Sequence, residues 1–234
     1  MRRPVRRSAP AAWLATVAVA GLVVAACAGT GASGIRFEAV AAEAPPLQWP
    51  ASPEQARMRF LASISTPADV GVRRSLIRRI ADLFTGAKDI RVRQPYGITV
   101  DSAGRVFVAD VAARGVHVFD PEHGRYEFRA GAGRTRFKSP VGVATDREGN
   151  LYIADSQLGV IVSLDPAGRE RWRSSDGTRP TGIAFDRASG LLYVVDTQAH
   201  EVRVYTASGV LQRRFGRRGT GPGEFNYPTN VVVA

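Results

Sequence analysis

Short apolar runs bounded by proline, aspartate and glycine recur along the C-terminal part of the chain. Each unit opens with a proline and an apolar run that ends in aspartate, and a second apolar run ends in another aspartate. The paired runs cover residues 95–101 with 105–110, 140–146 with 150–155, and 180–186 with 191–196. The opening prolines, including one at 228, are separated by 45, 40 and 48 residues. A fixed interval of this size indicates one repeated structural unit.

The connections within each unit indicate antiparallel strands. An Asp-x-x-Gly step, one residue longer in the third unit, joins the first two runs, and Gly104, Gly149 and Gly190 supply the positive φ that such hairpins need. A third alternating run follows in each unit. A fourth strand is predicted over residues 127–129, 170–172 and 211–215. Four antiparallel strands per unit predict an all-β chain of β-propeller blades, with three complete blades and the start of a fourth. A β-helix has a shorter period, and a sandwich does not repeat its turns so regularly.

Residues 53–93 differ from the repeats and are predicted to form a short module packed on the propeller. Residues 58–65 alternate like a strand. Residues 72–84 place apolar side chains on one helical stripe and arginines on the other face. We interpret this as an ordinary amphipathic helix; a helix lying on anionic lipid is the alternative.

The N-terminus has the pattern of an export signal. Residues 1–8 are basic and 11–26 are apolar without a charge, which is the layout of a signal peptide spanning 1–26. The stretch 24–27, Val-Ala-Ala-Cys, resembles the lipobox of bacterial lipoproteins. That resemblance implies cleavage before Cys27, acylation of Cys27 and anchoring in a membrane. Ala28 in place of aspartate implies the outer membrane, with the protein facing the periplasm. Residues 27–52, rich in Ala, Gly, Ser and Pro, are predicted to be a flexible tether.

Composition narrows the class of protein. The chain has 234 residues, of which 44% are hydrophobic and 23% charged, and this excludes bulk disorder. Its single cysteine excludes an intrachain disulfide framework and a cysteine-rich zinc site. The formal charge of +11 comes almost wholly from arginine. Because arginine enrichment also follows from a GC-rich genome, and because export removes the chain from nucleic acid, no nucleic-acid partner is predicted.

Two stretches resemble a known family. Residues 215–231, from Phe-Gly-Arg-Arg-Gly to Pro-Thr-Asn-Val, look like the inter-blade signature of NHL repeats, and 196–205 are similar to their third-strand signature. The likeness covers residues 94–234. Together with the lipobox it resembles a bacterial NHL-repeat lipoprotein, which implies a six-bladed β-propeller. Three blades cannot close a ring, so the sequence is expected to be partial, with roughly 100–130 residues missing; closure by oligomerisation is the alternative.

Three groups of side chains are candidates for chemistry. Asp110, Asp155 and Asp196 end the second strands; we interpret them as structural caps, and a rim of carboxylates for a cation or basic peptide is the alternative. A second group of arginines is a candidate anion-binding rim, with solvated surface as the alternative: Arg213, Arg214, Arg217 and Arg218. The third group comprises the histidines, and none of them lies on a first strand: His117, His123 and His200.

The sequence contains no G-x-S-x-G, H-E-x-x-H or Walker motif, so no catalytic or metal-binding residue and no cofactor is predicted. The hypothesis is a membrane-tethered, non-catalytic propeller that presents a surface to an envelope protein or glycan. The alternative is a metal-dependent lyase or lactonase with its site in the central channel, because some related six-bladed propellers have that activity.

Overall fold

The computed structural model describes residues 47–50, 53–60, 63–70 and 91–233. The predicted signal peptide, Cys27 and the helix over 72–84 lie outside the described residues, as does most of the tether. Among the described residues of the predicted strand over 58–65, only Met58–Arg59 forms a strand; it pairs with Gln48–Trp49, and a 3-10 turn follows at Pro67–Val70. No helix in the described part of the chain is long and apolar enough to cross a membrane.

The rest of the chain is built from β-strands, which are numbered here in chain order. The N-terminal ribbon consists of β1 (Gln48–Trp49) and β2 (Met58–Arg59). Blade 1 contains β3 (Pro95–Val100), β4 (Val106–Asp110), β5 (Gly115–Asp120) and β6 (Arg125–Arg129). A two-stranded ribbon follows, β7 (Gly131–Ala132) and β8 (Thr135–Arg136). Blade 2 contains β9 (Pro140–Thr145), β10 (Leu151–Asp155), β11 (Val160–Leu164) and β12 (Glu170–Ser174). Blade 3 contains β13 (Pro180–Asp186), β14 (Leu191–Asp196), β15 (Glu201–Thr206) and β16 (Leu211–Phe215).

Each blade is a four-stranded antiparallel sheet in which sequence neighbours pair. This is the predicted all-β architecture of propeller-type blades, and all three fourth strands form where the sequence placed them. Gly104, Gly149 and Gly190 have φ of 74°, 76° and 71°, which confirms their predicted hairpin role.

Two apolar layers hold the blades against each other. Between blades 1 and 2, Phe107 and Val116 pack on Val143, Ile153 and their neighbours. Between blades 2 and 3, a second cluster contains Tyr152, Ile183 and Leu192. Both layers arise because a strand buried on two sheet faces carries apolar residues at nearly every position.

The segment that follows blade 3 differs from its predicted form. Residues 228–233, expected to start a fourth blade as a strand, have no regular secondary structure. No strand in the described part of the chain pairs with them, so the backbone lacks the ladder of hydrogen bonds that defines a strand. They nevertheless lie beside β13, since a Cβ built on Gly182 would be 2.8 Å from the carbonyl oxygen of Thr229.

Candidate functional site

The first strands of the blades form the walls of a concave surface. β3, β9 and β13 lie next to one another, and residues 229–233 continue the row. They enclose a groove of about 560 Å³, lined by residues 96–99, 141–145, 181–185 and 229–233 together with Arg187. A volume in this range accommodates a small ligand or a short segment of a polymer. We call this surface the inner groove.

A glycine in each first strand lets the strands approach closely enough to build the groove. A Cβ on Gly97 would be 2.5 Å from the carbonyl oxygen of Val141 in the next blade. The same construction on Gly142 meets the carbonyl of Thr181, and on Gly182 it lies 2.6 Å from Cα of Asn230. No side chain fits at such distances, so these three positions require glycine for contact rather than for φ.

One wall of the groove is apolar and exposed. Tyr96 and Ile98 of β3 line the groove, and Ile98 is 66% exposed. Its counterparts in the other blades, Val143 and Ile183, are only 6% and 8% exposed because each packs against the preceding blade. Blade 1 therefore presents to solvent an apolar surface of the kind that the other blades bury.

The polar lining is dominated by hydroxyl groups and one cation. The hydroxyl oxygens of Thr99 and Thr145 are 3.5 Å apart, and the Thr145 hydroxyl donates to the Val100 carbonyl at 3.3 Å. Arg187 begins the turn after β13 and is exposed. None of the carboxylates of the described residues lines the groove. Because each first strand pairs on one edge only, its other edge carries unpaired N–H and C=O groups.

The three repeated aspartates end β4, β10 and β14, as predicted from the sequence, and all are fully buried. Asp155 accepts N–H bonds from Lys138 at 2.7 Å and Ser139 at 3.1 Å, just before β9, and from Gln157 and Leu158 in the following hairpin. Asp110 and Asp196 do the same in their blades. Each carboxylate thus joins the incoming first strand to the turn between the second and third strands. Bonds to backbone donors are what a structural role requires.

One third-strand position near each aspartate varies between blades. His117, Val162 and Arg203 occupy this position, two residues after the residue that pairs with the aspartate. His117 Nε2 lies 3.3 Å from Asp110, and Arg203 contacts Asp196 at 3.3 Å and Glu201 at 2.8 Å. Arg203 is therefore a buried cation surrounded by carboxylates.

Burial and hydrogen bonding shift the pKa values around His117. Burial lowers the pKa of His117, and its hydrogen bond to Asp110 offsets part of that effect. Burial acts to raise the pKa of Asp110, but the N–H donors of Arg93, Ala113 and Gln94 outweigh it and the net pKa is lowered. Tyr126, whose hydroxyl lies 2.9 Å from His117 Nδ1, has its pKa raised to about 12 by burial and by the charge of Asp110. The neutral imidazole therefore donates from Nε2 to Asp110 and accepts at Nδ1 from Tyr126.

A second set of aspartates holds the first hairpin of each blade. Asp146 accepts from the Asn150 N–H at 2.8 Å and from the Tyr152 hydroxyl at 2.8 Å, and burial together with this carboxylate raises the pKa of Tyr152. Asp101 accepts from the N–H and Nε of Arg105. The buried carboxylates of the blades are thus occupied by donors within the fold.

The predicted arginine rim lies away from the inner groove. Arg213 and Arg214 are on β16, the outermost strand of blade 3, and Arg217 and Arg218 follow it. Arg213 stacks over Phe215 at 5.7 Å, and Arg217 pairs with Glu224 at 2.9 Å. Charged side chains on an outer strand also discourage edge-to-edge association of sheets.

The histidines are dispersed. His117 is buried in blade 1, His123 pairs with Asp120 in an exposed turn, and His200 accepts the Tyr227 N–H at 3.1 Å. Within residues 91–233 and the shorter described stretches, no three His, Cys, Asp or Glu side chains are placed to share a metal ion.

Sequence reasoning missed three features of the site. Gly97, Gly142 and Gly182 recur two residues after each repeat proline, and that recurrence was the available signal. The pairing of Arg203 with Asp196 could be found by aligning the third strands. Arg187 had no signal in the sequence, because only the curvature of the three blades places it at the groove.

Comparison with known proteins adds a family match and several structural likenesses. Residues 178–205, in blade 3, match the model of the NHL repeat. No curated protein sequence shows significant similarity to the chain. Among solved structures, Kuenenia stuttgartiensis hydrazine synthase is similar at 16% identity and a TM-score of 0.49, over 62% of this chain and 41% of that one. Staphylococcus aureus virginiamycin B lyase is similar at 17% identity and a TM-score of 0.48, over 58% of this chain and 44% of that one. The gluconolactonase XC5397 of Xanthomonas campestris is similar at 22% identity and a TM-score of 0.48, over 58% of this chain and 51% of that one.

These structural similarities are limited in sequence identity and in coverage. The chain spans about two fifths to one half of the length of these solved structures. Identities and overlaps at this level transfer no activity to the chain. The chain therefore carries an NHL-type repeat within propeller-type blades, and its function must be argued from its own residues.

Proposed function

We propose that the chain is a non-catalytic, propeller-type binding domain, exported and tethered through an acylated Cys27, whose inner groove engages an envelope protein or glycan. The main support for this proposal is the inner groove. Its walls are three first strands that glycine contacts bring close together and buried aspartates hold in place, and its surface offers apolar side chains, hydroxyls and free strand edges.

The charged groups in the blades support a binding role. The buried carboxylates of Asp110, Asp155 and Asp196 are engaged by backbone N–H groups, and His117 is hydrogen-bonded on both ring nitrogens. A group that serves in acid–base chemistry must be able to reach a substrate proton. These groups instead fix strand positions, which favours a scaffold with a preformed concave face.

The lipid tether rests on the sequence alone. The basic and apolar segments before Cys27, and the small residues at 25 and 26, support export and acylation. Two lipid chains or more on one cysteine hold a protein firmly at a membrane. An outer-membrane position facing the periplasm is part of the proposal, and a nucleic-acid partner is not.

Site-specific photocrosslinking in the native cells tests the proposal. A benzoylphenylalanine replaces Tyr96 in the inner groove, and the matched control replaces Phe215, which is also an exposed aromatic but lies on the outer strand. We expect a discrete adduct from position 96 and none of that size from position 215. Sensitivity of the adduct to protease or to glycan hydrolase separates the two partner classes.

Two results would contradict the proposal. The first is the same adducts, or no adduct, from both positions. The second is metal-dependent turnover of lactone or lyase substrates by the purified acylated chain, which would establish the enzymatic alternative.

A further inference from the structure

The inner groove has a charge character of its own. Its lining residues contain one ionisable cation, Arg187, and no carboxylate in the part of the chain that the structure describes. Most cations near the blade cores are neutralised: Arg105 pairs with Asp101, Arg129 with Glu127 and Arg203 with three carboxylates. The groove is thus positive at one end and neutral elsewhere.

Arg187 differs from those arginines in being unpaired. Within the described residues its guanidinium makes no hydrogen bond or ion pair. The neighbouring carboxylate of Asp186 is occupied by the Ala188 N–H at 2.8 Å and by the Ser189 hydroxyl, which hold the turn. The guanidinium therefore keeps its full set of donors for a group in the groove.

Other unpaired arginines occupy a different environment. Arg214 is exposed on β16, on the outer edge of the same blade, where it faces bulk solvent. A cation there interacts weakly because water and salt screen it. Arg187 lies instead at the lining of the concave inner groove. A cation at a concave, partly apolar surface attracts an anion more strongly than a cation that faces bulk solvent.

From this geometry we infer that the inner groove binds an oxyanion-bearing ligand, a carboxylate or a phosphate, through Arg187, while the ligand's uncharged part lies along the threonine hydroxyls and the apolar wall formed by Tyr96 and Ile98. The inference rests on the proposed function, because it names the chemistry by which the inner groove selects its partner. A planar guanidinium holds either oxyanion with two parallel hydrogen bonds.

Protection from an arginine-selective reagent tests the inference on the full acylated chain. The protein in detergent is treated with phenylglyoxal, with and without citrate or inorganic phosphate, and the modification of each arginine is followed by peptide mass spectrometry. The probes are used up to roughly 10 mM, where even a millimolar site fills. We expect citrate, phosphate or both to slow modification of Arg187 several-fold and to leave Arg214 unchanged. Protection by citrate alone identifies a carboxylate site, and protection by phosphate alone identifies a phosphate site.

A pair of variants gives an independent measurement. Arg187→Gln and Arg214→Gln remove the same charge from the inner and outer ends of blade 3. We expect the first to weaken binding of the protecting anion, measured by calorimetry, roughly tenfold, as for one lost charge-assisted hydrogen bond. The second should bind like the original chain.

Equal protection of both arginines, absence of protection at Arg187, or equal weakening in the two variants would overturn the inference. If position 96 still forms its crosslink in any of these cases, the inner groove keeps its proposed binding role. Its partner would then bind without an essential anion. Loss of the crosslink together with retained protection at Arg187 would contradict the proposed envelope partner and leave the anion site standing.

Discussion

Removal of the buried Asp155 carboxylate should destabilise the chain, because this side chain joins two segments of blade 2. Four backbone N–H groups donate to it, at 2.7–3.1 Å, from two segments that are 16 or more residues apart. Hydrogen bonds to a charged group contribute about 1.5–3 kcal/mol each, so Asp155→Ala has an upper bound near 6–12 kcal/mol. Lys138 and Gln157 are exposed, so water replaces part of the loss. We expect the free energy of unfolding to fall by about 3–4 kcal/mol.

Urea unfolding followed by circular dichroism measures this loss, and a thermal scan should show a midpoint lowered by about 10 °C. Asp165→Ala is the matched control, because Asp165 also accepts in a turn of blade 2, from Arg169 N at 2.8 Å and Arg169 Nε at 2.7 Å, but joins no second segment. The control should lose far less stability. Asp155→Asn keeps one acceptor oxygen, so its loss of stability should lie between the losses of Asp155→Ala and Asp165→Ala. A loss below about 1 kcal/mol in Asp155→Ala, or one no larger than in the control, would refute the joining role.

Three further predictions concern packing, pH and the anchor. Gly142→Ala should lower stability by about 2–3 kcal/mol, because its Cβ would press on the Thr181 carbonyl and come within 2.9 Å of Ile183 Cγ2. Gly190→Ala, at φ 71° in open space, should lose only about 1 kcal/mol in the same urea titration, and equal losses would contradict the contact argument. The folded state lowers the pKa of His117 from 6.5, so the unfolded chain binds more protons below that pH and stability should fall as the pH drops below 6.5 towards the lowered pKa. His117→Val should flatten that part of the pH–stability curve; an unchanged slope in this variant would show that another group titrates. Labelled palmitate should enter the full chain and not Cys27→Ala, and labelling of the variant would contradict acylation at Cys27.

Repetition explains why the blades could be predicted in such detail. Each unit carries its own strand lengths and turn residues, and the hairpins connect neighbours in sequence, so local signals suffice. The repeat located the strands of each blade, including the fourth strands. These were predicted at 127–129, 170–172 and 211–215, and they form at Arg125–Arg129, Glu170–Ser174 and Leu211–Phe215. A strand over 228–234 could not form on local signals alone, because a strand is defined by its hydrogen-bonded partner.

The candidate site was less accessible from the sequence. Recurrence located Asp110, Asp155 and Asp196 at the ends of the second strands, and the structure adds the donors that they bind. The importance of Gly142 depends on the distance between two first strands that are about one repeat apart, which composition does not encode. The same holds for Arg187, because the groove that it lines is formed by three blades and residues 229–233.

The sequence by itself determined the repeat, the strand order within each blade and the turns, because these depend on neighbouring residues and on the φ that glycine permits. It also supplied the whole case for export and for acylation at Cys27. Only the tertiary structure decided which side chains share the inner groove and which aspartate oxygens are already occupied. Those properties depend on how one blade packs on the next, and the contacts that set this packing join residues tens of positions apart in the chain.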